Sequence, residues 1–172
     1  DIDGQVDFGA GGLTGIGTFF GQTGSFDGSR RRIISGDFDV SNNGHGIDSI
    51  QLTGRIAWEH VPAERALRGF FVSGSILKST VQQELAGSVD KASLSAGGYF
   101  VAEVADDLYL DGFVSLGVGR NRLALNDDVL DIAGRYTTRS VIVGGDLSGV
   151  IARDSFEIRP ELSVAYGLTD IG

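Results

Sequence analysis

In the segment 155–167, SFEIRPELSVAYG, every second residue is apolar: Phe156, Ile158, Pro160, Leu162, Val164 and Tyr166 alternate with Ser155, Glu157, Arg159, Glu161, Ser163, Ala165 and Gly167. A period of two belongs to a β-strand whose two faces meet different surroundings. Strands of soluble domains average about 5–6 residues, and this pattern is far longer. It also recurs. Residues 49–60 set Ile50, Leu52, Ile56, Trp58 and His60 against Ser49, Gln51, Thr53, Arg55 and Glu59, and residues 91–104 set Leu94, Ala96, Phe100 and Val104 against Lys91, Ser93, Ser95, Tyr99 and Glu103. Residues 108–119 oppose Leu110, Val114 and Leu116 to Tyr109, Asp111 and Ser115, and the next repeat opposes Val141, Val143 and Leu147 to Gly144, Asp146 and Ser148. No window carries a helical period with caps that outweighs these.

The pattern predicts about eight strands, at 5–20, 32–41, 49–60, 66–79, 91–104, 108–119, 136–151 and 155–168, with 1–31 as a glycine-rich lead-in and 32–172 as the main body. Short connections at 61–65, 105–107 and 152–154 alternate with long polar ones at 41–48, 80–90 and 120–135. In an antiparallel up-and-down meander this alternation gathers the tight turns at one end and the loops at the other. Outer-membrane barrels have this asymmetry, with tilted strands that alternate apolar-out and polar-in. Closure also leaves no backbone group unpaired in lipid. The expected fold is therefore all-β, a meander closing into a transmembrane β-barrel. A soluble antiparallel sandwich alternates too, with its apolar face toward a core. Strand length and the Ser, Thr and Gly content of the polar faces favour the barrel.

Composition narrows the partners. A net charge of −9 lacks the basic stripe that nucleic-acid binding needs. With no cysteine there is neither a disulfide nor a thiolate metal site. The 27 glycines sit among 41% hydrophobic residues, which suggests curved, closely packed sheets rather than disorder. No apolar run approaches the ~20 residues of a membrane-spanning helix.

Residues 95–121 (SAGGYFVAEVADDLYLDGFVSLGVGRN) followed by 139–170 (RSVIVGGDLSGVIARDSFEIRPELSVAYGLTD) resemble the translocator β-domain of type V autotransporters. The likeness lies in Gly97, Gly98 and Tyr99, in the strand start at 108–112, in a strand centred on Gly-Asp-Leu, and in a short turn into the last strand; it is looser over 33–90. It implies a 12-stranded barrel in the Gram-negative outer membrane that anchors a passenger domain and helps carry it to the cell surface. Outer-membrane lipid, the barrel-assembly machinery and a linked or cleaved passenger would be its partners. No cofactor and no enzymatic activity are implied beyond passenger cleavage in some members. Eight strands against 12, no preceding passenger or lumen-spanning helix, and an end at GLTDIG without a terminal aromatic lead to the expectation that the chain is a portion of a longer barrel. The alternative is a secreted or surface β-protein with an adhesive or self-assembling role.

On this reading Arg55, Glu59, Glu103, Asp111, Arg139, Asp146, Glu157, Arg159 and Glu161 face the lumen, while Trp58, Phe70, Phe156 and Tyr166 form interfacial aromatic belts. Tyr99, on the polar register, points inward. Asp127, Asp128 and Asp131 supply oxygen ligands for a weak calcium site, although their spacing matches no EF-hand loop and a solvated acidic loop is the simpler reading. His45 and His60 have no nucleophile beside them, and no hydrolase motif occurs. The glycines of GAGGLTGIG at 9–17 lack the strand–helix context of a nucleotide loop.

Overall fold

The computed structural model describes residues 2–9, 12–42, 46–63, 65–81, 86–126, 131–153 and 156–172. The alternating segments become strands β1 (Ile2–Gly9), β2 (Gly12–Gly24), β3 (Arg30–Asn42), β4 (Ile47–Ala63), β5 (Ala66–Val81), β6 (Ala86–Ala105), β7 (Leu108–Asn126), β8 (Asp131–Gly149), β9 (Ile151–Arg153), β10 (Phe156–Ile158) and β11 (Glu161–Ile171). Nine of them form one antiparallel meander in the order β1-β2-β3-β4-β5-β6-β7-β8-β11, and β9 and β10 make a separate small hairpin. The described residues contain no helix. The sheet is open, with β1 and β11 as its edges.

Three sequence expectations change. The single strand at 5–20 is a hairpin, turned between Gly9 and Gly12; Gly12 has φ +116°, a backbone region closed to most side chains. The long polar connections are largely strand: β6 starts at Ala86, β7 runs to Asn126 and β8 starts at Asp131. Ladder hydrogen bonds hold these extensions even where neither face is apolar, so alternation fades before pairing does. The strand at 155–168 is broken. β10 ends at Ile158, β11 begins at Glu161, and Pro160, which has no N–H to donate, accepts from the amide of Gly149 at 3.2 Å.

At the end of the shorter turns, residues 25–29 are organised by one carboxylate. Asp27 Oδ1 accepts from the Ser25 hydroxyl at 2.5 Å, the Ser29 amide at 3.1 Å and the Ser29 hydroxyl at 2.9 Å. These bonds, the Ser25 hydroxyl first, hold the Asp27 carboxyl down at about 2. Arg65 joins two neighbouring turns, with Nη1 on Asp106 at 3.0 Å and Nε 3.7 Å from Glu103. The Asp106 bond raises the guanidinium above its ordinary value.

Glycine and aromatic residues interlock across the strands. Phe19 lies over Gly36, Phe38 over Gly17 and Phe100 over Gly112 on one face; Tyr99 over Gly69, Phe71 over Gly97 and Phe113 over Gly144 on the other. In each pair the ring occupies the place of the missing side chain, the cross-strand arrangement that compensates for glycine in a sheet. This explains how a glycine-rich sheet is packed without a second layer. Ala57 is the buried hydrophobic residue and Glu59 the buried charged one among the described residues.

Candidate functional site: the two faces of the sheet

Residues paired across an antiparallel ladder share a face, so the registers assign every strand position to one of two surfaces. The row Ile34, Ile56, Val72, Ala96, Leu116, Val141, Leu168 runs through seven strands without a polar side chain. On this face no charge occurs within residues 34–40 of β3, 50–58 of β4, 70–76 of β5, 92–104 of β6, 108–118 of β7, 141–149 of β8 or 162–168 of β11. The band is uncovered: Leu116 is 59%, Leu94 56% and Val164 64% exposed.

The band crosses the hydrogen-bonded rows obliquely. Toward the β3–β4, β5–β6 and β7–β8 connections its first charges are Asp48, Lys78, Asp90, Arg120, Arg139 and Asp170, one per strand from β4 to β8 and then β11. Carried along the rows onto β7, Asp48 falls level with Ala124 and Asp170 with Val118, a slip of six residues over five strand intervals. With about 3.3 Å per residue and about 4.8 Å between strands, the band makes an angle of about 40° with the rows. At the opposite end Arg32, His60 and Arg68 bound it on β3, β4 and β5.

The other face is polar and mostly acidic. It carries Asp37, Asp39, Glu59, Glu103, Asp111, Asp146 and Glu161 against Arg31, Arg55 and Lys91, among many Ser, Thr and Gly positions. Thr53 bonds Asp37, and the hydroxyl pairs Ser73–Ser95 and Ser75–Ser93 each close at 2.7 Å. Its best-organised cluster centres on Glu59. Tyr99 donates to Oε1 at 2.6 Å, and Arg31 Nη2 lies 2.7 Å from Oε2, a close ion pair out of line for a hydrogen bond. Arg55 stacks its guanidinium 4.2 Å from the Phe71 ring centre and 5.4 Å from that of Tyr99. Side chains from β3, β4, β5 and β6 thus form one network of charge pair, phenol and cation–π contacts.

Most of the charged residues singled out by periodicity fall on this polar face: Arg55, Glu59, Glu103, Asp111, Asp146 and Glu161. Arg139 does not. It stands opposite Val118, two residues from Val141, on the apolar face just beyond the band. Glu157 pairs with Ala152 in the small hairpin, and Arg159 lies in the break before β11. Among the aromatics, Trp58 and Phe70 stack at 4.9 Å at the band's edge, whereas Tyr166 sits inside the band on β11. The Phe156 side chain, Asp127 and Asp128 lie outside the described residues; Asp131 opens β8 opposite Asn126. No group of three or more metal-ligating side chains gathers among the described residues. Periodicity alone missed Arg31, whose partner is on the next strand, and Gly69, whose place is taken by the Tyr99 ring.

Comparison of the chain with protein families, with curated proteins and with solved structures finds no match.

Proposed function

We propose that this sheet is part of the wall of a transmembrane β-barrel in the outer membrane of a Gram-negative bacterium, its apolar band against lipid and its polar face toward the interior. The observation that carries the reading is the charge-free band and its slope. Strands of membrane barrels tilt by about 35–45°, so a belt parallel to the membrane must cut the hydrogen-bonded rows at that angle. About 40° is what the charge boundary gives. The charge-free stretches 50–58 and 108–118 also match the about 9–11 residues a tilted strand needs to cross the hydrocarbon. A soluble sheet would hide such a face under a second layer.

The barrel acts as an anchor and translocator for a passenger displayed at the cell surface, a role supported by the autotransporter-like order of motifs over residues 91–170. Its partners would be outer-membrane lipid, the barrel-assembly machinery and the passenger. The test is envelope fractionation of the intact protein. It should require detergent for extraction and migrate differently on a gel before and after heating. Recovery in the aqueous fraction without detergent would sink the reading.

One observation favours a second reading: β1 and β11 both offer an unpaired edge. Such edges template strand addition, as a secreted, self-assembling adhesive protein would use. Soluble, concentration-dependent oligomers would support it.

A further inference from the structure

We propose that the arginines at one border of the apolar band form a binding site for the phosphate of a membrane lipid headgroup. Four guanidinium groups stand on adjacent strands of the same face: Arg120 and Arg122 on β7, Arg135 and Arg139 on β8. Arg122 and Arg135 are direct cross-strand partners. Like charges placed so are destabilising, and among the described residues no carboxylate closes an ion pair with them. Asp90 lies opposite Arg122 and Asp170 opposite Arg139, yet none of the four arginines is in an ion pair among the described residues. All four are exposed, with Lys78 beyond Asp90 in the same row as Arg122. In a chain of net charge −9 with a largely acidic opposite face, the concentration of cations here is a feature of position, not of composition.

The position identifies the ligand. Arg120 and Arg139 are the first charges past Val118 and Val141, so the site begins where the uncovered hydrocarbon surface ends. A ligand that answers both must carry an anion at one end and an apolar body at the other. Arginine forks bind phosphate oxygens in bidentate fashion, and partners about 5 Å apart across the ladder allow two forks to share one phosphate. A free phosphate would satisfy the guanidinium groups but gain nothing from the band beside them. This inference rests on the membrane-barrel reading and adds a lipid partner to it.

The test uses the intact protein in phosphatidylcholine nanodiscs, titrated with phosphatidic acid, with bound lipid counted by native mass spectrometry. The double variant R122Q/R135Q should bind phosphatidic acid about 30-fold more weakly, since each basic side chain at an anionic headgroup adds about fivefold. Lys91→Gln, on the opposite face of the neighbouring strand, should leave binding unchanged. Equal affinity of the wild type and R122Q/R135Q would overturn the site, as would an equal loss in Lys91→Gln. Saturable binding of inorganic phosphate alone, displacing the lipid, would overturn the lipid assignment. A protein that enters nanodiscs but shows no arginine dependence defeats this inference alone; one that does not enter them defeats the barrel reading as well.

Discussion

The phenol of Tyr99 on β6 reaches across β5 to donate to Glu59 on β4 at 2.6 Å, and it can do so because the residue between them is Gly69. A side chain at that glycine would meet the ring at 2.6 Å. Gly69→Ala must therefore displace the ring and break the bond to a buried carboxylate. It should lower stability by about 1–3 kcal/mol, the usual cost of overpacking or of a lost buried partner. Gly134→Ala, where nothing lies within 4 Å, should be nearly silent. Urea-unfolding midpoints of the two variants check this.

Removing the donor without touching the glycine isolates the bond. Tyr99→Phe leaves Glu59 buried and still beside Arg31, with one fewer donor to its carboxylate. Combined with Glu59→Ala, which removes the acceptor, in a double-mutant cycle, it should give a coupling energy of about 1–3 kcal/mol. A coupling within error of zero would mean that the contact contributes nothing.

The turn at Asp27 gives a pH signature. Its carboxyl is held at about 2, below the ordinary 3.8, by bonds that favour the charged form. The stabilisation is thus complete above the unfolded value and is lost as pH falls through about 2. Asp27→Asn should lower the thermal midpoint by a constant amount above pH 4 and by progressively less toward pH 2 (about the window of the shift). A difference independent of pH down to 2 would contradict it.

How much of this was legible in the sequence follows from where each strand meets water. Within the band the alternation of Ile50, Leu52, Ile56 and Trp58 with polar neighbours is direct evidence of a two-faced strand, and those elements stand where periodicity puts them. Beyond the band both faces are wet, so Arg120, Asn121 and Arg122 carry no alternation although the ladder continues through them. Arg139 joins the polar set by its charge alone: it stands two residues from Val141, so the period of two already puts it on the apolar face, and the register agrees. The hairpin at Gly9–Gly12 and the break at Pro160 depend on backbone conformation, which glycine and proline permit but do not locate. The Glu59 cluster joins residues from four strands and needs the register, which no single strand encodes.

Face and depth can be separated by an arginine scan. Val114 sits in the middle of the band on β7, and its chain neighbour Ser115 faces the other way. In a bilayer, Val114→Arg should cost about 2–4 kcal/mol of folding free energy, whereas Ser115→Arg on the polar face should cost much less. Folding titrations in detergent or lipid vesicles measure both. Similar costs at the two positions would argue against a lipid-facing band.

Trp58 offers the most direct test, because it is the chain's one tryptophan and lies at the edge of the apolar face, stacked on Phe70. The intact protein should be reconstituted in vesicles of lipids brominated at successive acyl positions, and its tryptophan emission compared with that in unbrominated lipid and in the presence of aqueous iodide. If the band contacts hydrocarbon, emission is quenched by the bromolipids, most strongly by those brominated near the headgroup, and is little affected by iodide. Emission quenched by iodide and insensitive to bromine at every depth would contradict the membrane-barrel reading.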